Sequence, residues 1–399
     1  MSAESRGGLR VPSQRITLLR RLRSWAVGGA LAIAASVFGY IAITRPHNGN
    51  VFEAHAALAY FWLQTGAPYA PHVGYDALII AVHTALPHFS LFRAGMLVTA
   101  ASFGVVTLIL FSVFRPLLDP LRTAALVTAL IVAAPLMVFT LEARNLYLGY
   151  IPTSIYHDPT QLLLKPAALA LFLFCVAALG ARRASPPEIV GAALLSVGGA
   201  AIKPSYAICL LPSLALLVAI RLLRREPFDQ WLLLVGVFVP TALTLGVEYL
   251  LLRSLPYATA LGGDGGFAFE PFAFFARVLD ELHKPQLLGL KFLASIAFPA
   301  AVAIVYRGRA LADSGLQLGW SGFGFGAFFT YLIVERGPYL LDGNFTWSGQ
   351  VTLFILFVAS ALFTVRQPRT PGQTVCWAVL LLHVLCGLIW YFFHGANLW

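Results

Sequence analysis

Charge is what this chain has least of. Only 11% of its 399 residues are Asp, Glu, Lys or Arg, against 59% apolar, and the mean hydropathy is +0.79. A soluble globule cannot bury such a composition. Acids are scarcer still, 17 against 27 bases. That surplus would suggest nucleic acid in a soluble protein, but six arginines fall in the first 23 residues, directly before an apolar run. They read as an arm resting on anionic lipid, so membrane lipids and no nucleic acid are the expected partners. The four cysteines, Cys175, Cys209, Cys376 and Cys386, all lie within apolar runs, which indicates neither a disulfide framework nor a zinc site. No Gly-rich phosphate loop, His-Glu-x-x-His or Gly-x-Ser-x-Gly occurs, so no nucleotide cofactor or metal is implied. Internal repeats, low-complexity linkers and soluble domains are missing too.

What the chain does have is apolar runs of spanning length. A crossing needs about 17–25 residues. The runs 25–44, 91–114, 123–140, 162–180, 188–202, 205–221, 230–252, 286–306, 315–334, 348–365 and 374–393 predict about eleven transmembrane helices. The expected fold is therefore all-α, a polytopic membrane helical bundle. It comprises a basic cytoplasmic arm over 1–24 and a single transmembrane domain over 25–399. The first run ends at Thr44-Arg45-Pro46 rather than at a small-residue cleavage site, which makes it a signal anchor with its N-terminus inside. The turns after the even-numbered runs then carry Arg115 and Arg122, Arg182 and Arg183, Arg221 with Arg224 and Arg225, Arg307 and Arg309, and Arg366 and Arg369. The positive-inside rule assigns these turns to the cytoplasm. The apolar segment 74–86 is too short to cross and breaks at Pro87; counting it as a span would invert every arginine turn, so it is expected at the outer interface. The run 188–202 is also short. A bacterial plasma membrane is the natural setting.

With this threading, eight of nine histidines and most acids collect outside, in the loops that alternate with the arginine turns. The exception, His383, falls mid-span and reads as a packed histidine bonded to a neighbouring helix. The first outer loop, 45–90, contains Glu53 and His55 and runs on to Gly66-Ala-Pro-Tyr69. Glu53 reads equally as an acid at a helix N-terminus or as a general base at the membrane surface. In the second loop, Asp158-Pro159 with Gln161 matches an N-cap, a proline at the first helical position and a capping-box partner, and leaves His157 aimed at the outer cavity. Lys165-Pro166 and Lys203-Pro204 place cations at the outer ends of spans, where they either snorkel or hold a lipid-linked phosphate. Glu335, Arg336, Asp342, Asn344 and Trp347 form another cluster at that level. Arg336 offers a planar fork for phosphate, and Asn344 or Trp347 could bind and stack a sugar, unless an ion pair of Arg336 with Glu335 or Asp342 merely holds the loop. Stretches 52–64 and 267–282 suit juxtamembrane helices.

The N-in start, the early acid in the first outer loop, the juxtamembrane helix, the Gly66-x-Pro-Tyr69 element and the short interfacial helix together resemble the GT-C superfamily of polytopic glycosyltransferases. That resemblance implies transfer of a sugar from a polyprenyl-phosphate carrier to a lipid-linked or cell-envelope glycan acceptor on the extracytoplasmic side, by a hexosyl- or pentosyltransferase. It assigns the catalytic base to Glu53 and implies no cofactor beyond the donor itself. No second acid adjoins Glu53, a departure that favours a metal-independent monosaccharide transferase. Lys203, Arg336 and Lys165 are the cations expected to stabilise the departing phosphate, with His55 and His157 as further ligands. A lipid-linked-saccharide flippase or other transporter, and a glycan polymerase, are the alternatives.

Overall fold

A computed structural model describes residues 14–44, 49–69, 72–137, 149–254, 266–279, 287–336 and 343–394. Most of the basic arm and the residues Glu142, Arg144 and Asp342 lie outside the described residues. Among the described residues the regular elements are helices apart from two short strands. Seven helices are long and apolar enough to cross a bilayer, or eight if one bent pair counts as a single span, making this a multi-pass membrane protein.

The helices are α1 (Gln14–Ile43), α2 (Gly49–Thr65), α3 (Gly74–Ala85), α4 (Leu91–Phe114), α5 (Pro120–Val132), α6 (Pro159–Leu179), α7 (Pro186–Ile202) and α8 (Ala207–Arg224). A π-helical stretch, Leu232–Phe238, runs into α9 (Val239–Ser254). Then follow β1 (Phe267–Phe269), α10 (Ala273–Leu279), α11 (Leu287–Ser295), α12 (Ala297–Tyr306), α13 (Gly308–Ala312), α14 (Ser314–Leu332), β2 (Ile333–Glu335), α15 (Thr346–Val365) and α16 (Pro371–His394).

Each predicted run meets a helix, but not every helix is a full crossing. Residues 123–140 were expected to span, yet α5 stops at Val132 after 13 residues, about 20 Å at 1.5 Å per residue. The chain continues as non-helical backbone through Met137. α7 is 17 residues long, α14 is long enough but interrupted by glycines and polar residues, and α11 and α12 meet at a 67° bend. A second correction concerns 267–282, expected as one flat helix. It opens instead as β1, pairing antiparallel with β2 (Phe267 opposite Glu335), because Phe-Ala-Phe alternates exposed, buried, exposed. By contrast, α3 forms as a 12-residue helix, too short to cross.

α15 is the axis of the bundle, with 94% of its spanning window buried. It lies tight against α14 because small residues face each other: a Cβ at Gly326 would come within 2.1 Å of Thr352 Oγ1 and 2.8 Å of the Ser348 carbonyl. The peripheral helices expose leucines such as Leu194 and Leu243, the surface a lipid environment demands. Local signals set the helix starts. Asp119 caps α5 through the Leu121 and Arg122 N–H groups, with Pro120 at the first position, and Asp313 caps α14 through Leu316 N–H.

Irregular backbone inside a bilayer must find partners within the protein. Here it does so through His383. Its Nδ1–H donates to the Ala134 carbonyl at 2.6 Å, just past the end of α5, and its Nε2 accepts from Phe298 N–H at 3.3 Å, at the start of α12. The mid-span histidine thus bonds backbone at two helix interruptions at once, as the neutral imidazole.

The arginine-bearing turns gather at one end. Arg221 donates to Ser314 Oγ at 2.8 Å, and Asp229 accepts from Ala184 N–H while its own N–H bonds the Ala178 carbonyl. Helices that start there, α7 and α14, lead to Lys203 and, through β2, to Glu335, and α6 and α15 begin at that opposite end beside Asp158 and Trp347.

Candidate functional site

At the end remote from the arginines, four segments bring their polar side chains together. Asp158 is the N-cap of α6 and is buried; its Oδ1 accepts from Gln161 N–H at 2.9 Å and from the Thr160 hydroxyl at 2.6 Å. Its Oδ2 forms an ion pair with Lys203. Capping and charge pairing are therefore done by the two oxygens of one carboxylate. Gln161 does not close a capping box: its Nε2 donates to the Trp347 carbonyl at 2.8 Å, tying α6 to the first turn of α15.

Lys203 owes its place to Pro204. The residue before proline is pushed out of helical space, and Lys203 is extended (φ −165°, ψ 127°), ending α7. Its ammonium also donates to Thr160 Oγ1 at 3.0 Å and sits 4.6 Å from the centroid of the Trp347 ring, a cation–π contact. The His157 ring lies 5.6 Å from the same indole. Beside it, Asn344 donates to Glu335 at 2.7 Å, and the Glu335 carboxylate helps hold the charge on Lys203.

Burial pushes the Asp158 carboxyl up, but the charge and hydrogen bond of Lys203, the Thr160 hydroxyl and the Gln161 N–H outweigh it and hold the group at about 2. Lys203 is depressed by burial, with Asp158 and then Glu335 opposing. Burial also lowers His157, against the pull of Asp158, so the imidazole stays neutral at neutral pH.

A second pair adjoins the first. His55 Nδ1 meets Asp76 Oδ1 at 2.9 Å, with the acid buried and the histidine about a fifth exposed. The intervening Tyr75 is fully buried, donates to the Gly95 carbonyl at 3.0 Å, and is touched electrostatically by both Asp76 and Asp158. α3 reaches this position only because residue 74 is glycine. A Cβ there would stand 2.8 Å from Ile202 N and 2.9 Å from Ala201 C, on the residues that lead into Lys203. His72, 3.4 Å from the buried Glu248, fastens the same loop to α9.

Of the residues singled out in the sequence, His55, His157, Asp158, Lys203, Asn344 and Trp347 fall in or beside this assembly. Arg336 stands at its edge, exposed, with its backbone N–H on the Gly266 carbonyl and no charged partner among the described residues. Lys165 sits seven residues along α6 from Asp158, about 10 Å deeper, inside the bundle. Glu53 is exposed, with no bonded partner among the described residues. It is the fifth residue of α2, beyond the first turn, and two positions from His55 puts it about 200° round the helix from that face. Thr160 was not picked out as a binding residue, and Asp76, an alternative base to Glu53 on the sequence, stands at the Gly74-Tyr75-Asp76 start of a short helix. Among the described residues no three His, Cys, Asp or Glu side chains are grouped to hold a metal ion. No protein-family model, curated protein or solved structure matches this chain.

Proposed function

We propose that this protein is a GT-C-type glycosyltransferase. It would move a sugar from a polyprenyl-phosphate carrier to a lipid-linked or cell-envelope acceptor on the extracytoplasmic face of a bacterial plasma membrane, with the arginine turns in the cytoplasm. The observation that carries this reading is the convergence of the Asp158–Lys203 pair, the Trp347 ring and the His55–Asp76 pair at the end of the bundle away from the arginines. Trp347 and Asn344 offer a stacking surface and an amide for a sugar. Lys203 is already matched by Asp158, so the cation at this rim with no charged partner among the described residues, and the candidate for a phosphate, is Arg336.

In the transfer, the acceptor oxygen bonds the anomeric carbon as the bond from that carbon to the phosphate oxygen breaks. The phosphate leaves with the electron pair, and the acceptor proton passes to a base. The resemblance assigns that base to Glu53. The geometry favours His55, whose Nδ1 is fixed by Asp76 so that Nε2 is left to accept a proton. A transporter reading draws on the broken helices around His383. Their free backbone groups, however, are bonded to that histidine rather than left to coordinate an ion.

The test is transfer of labelled sugar from synthetic polyprenyl-phosphate donors by the purified protein in detergent, followed by Glu53→Gln and His55→Gln. The true base variant should lose about 10²–10⁴-fold in single-turnover rate while still binding donor. Full rates in both variants would remove a base on α2 from the mechanism, and no transfer from any donor would sink the reading itself.

A further inference from the structure

Lys165 is a cation in the wrong place for a merely snorkelling side chain. It lies in the second turn of a spanning helix, 6% exposed, and no carboxylate among the described residues pairs with it. Its Nζ donates to the Thr153 carbonyl at 2.9 Å, reaches Ser154 Oγ only at 3.5 Å, and lies 5.1 Å from the Phe354 ring centroid. An ammonium carries three N–H groups, and one of these three contacts is a short hydrogen bond. Carbonyl and ring are neutral, so they solvate the charge without cancelling it. A charge inside a bilayer is costly unless it is paired, and such residues mark ligand positions.

Beside this nitrogen is a cavity of about 20 Å³, lined by Lys165, Ser102 and Ser154 and by apolar walls that include Phe103, Leu162 and Phe354. It admits a small particle, a water or a monatomic ion. Its polar lining is the Lys165 amino group, which a bound anion would hold in its charged form, and the hydroxyls of Ser102 and Ser154, which donate to the backbone carbonyls of Thr99 and Ile131 and can rotate toward the cavity. A water here would complete the hydrogen bonding and leave the charge; a small anion would do both. We propose that Lys165 and this cavity form a binding site for one small monovalent anion of halide size, separate from the Asp158–Lys203 assembly and independent of the transferase reading. The single lysine and the apolar Phe103, Leu162 and Phe354 walls select by charge: a divalent oxyanion would leave a net negative charge buried beside them.

The experiment uses the purified full chain in detergent, at constant ionic strength, with gluconate replaced stepwise by chloride, bromide or sulfate. Chloride and bromide should raise the thermal midpoint saturably, and sulfate should not. Lys165→Met should abolish the dependence, and the milder Ser102→Val should weaken half-saturation, which keeps the test usable where Lys165→Met fails to fold. Bromide should also give anomalous density in the cavity. A midpoint indifferent to halide in the unaltered protein, or bromide density everywhere but here, overturns the site, and a response equal for sulfate and chloride shows general salting and overturns it as well.

Discussion

Replacing Lys203 with Met leaves the Asp158 carboxylate buried with its cap hydrogen bonds but without its counter-charge. Removing one member of a buried pair costs about 3–5 kcal/mol, because the survivor is an uncompensated charge. In the unaltered protein Asp158 is held at about 2, below its unfolded value of about 3.9. It therefore contributes about 2–3 kcal/mol that is fully present above about pH 5 and is lost as pH falls through 2. Without Lys203 the burial effect prevails and the carboxyl rises above its unfolded value, so the sign reverses: Lys203→Met should gain stability, relative to the unaltered protein, as pH falls from 7 toward 5. Asp158→Asn strands the lysine instead, and its recovery should come on the alkaline side, as the ammonium loses its proton. The double variant Asp158→Asn with Lys203→Met should flatten both dependences and regain most of the loss. Thermal unfolding of detergent-purified protein across pH 5–9 reads all three. If both single variants melt with the unaltered protein, or share its pH slope, then the pair is solvated and the electrostatic account of the site is wrong.

Other consequences can be checked separately. His383→Leu removes the partners of Ala134 C=O and Phe298 N–H, at about 1–3 kcal/mol for each buried group left unbonded; a large drop in melting temperature is expected, and an unchanged one means those groups find other partners. Gly326→Ala should cost about 1–3 kcal/mol by prising α14 from α15, whereas Gly246→Ala, with nothing within 4 Å of its Cβ, should be harmless; equal stability of the two variants contradicts the close packing. In a cysteine-free background, Asn344→Cys should react with an impermeant thiol reagent in intact cells and Arg183→Cys should not, and the opposite pattern would reverse the proposed orientation.

The helices were legible because apolar run length is a direct readout of bilayer thickness, and a cap such as Asp158-Pro159 states its position in adjacent residues. Where α5 stops was legible only in part: Pro135, inside the run 123–140, disfavours helix at Ala134, but the histidine 249 positions away that meets the Ala134 carbonyl has no local signal. The strand at Phe267 was hidden for the same reason, since its partner lies at Ile333–Glu335. Site membership followed a similar divide. Residue types showed that Lys203, Asp158 and Trp347 were unusual, but not that they touch. The likeness in chain position that selected Glu53 carries no rotation about the helix axis, and that rotation is what separates Glu53 from His55.

The position of His383 bears on how the bundle is assembled. α16 is synthesised after both α5 and α12, yet it supplies the donor and the acceptor that finish two interruptions formed hundreds and dozens of residues earlier. Until it docks, the end of α5 and the start of α12 hold bare peptide groups that hydrocarbon cannot solvate. The middle of this protein is thus completed by a helix made after it, and a chain without α16 in place would present a wet seam at the level where a docked α16 leaves it dry.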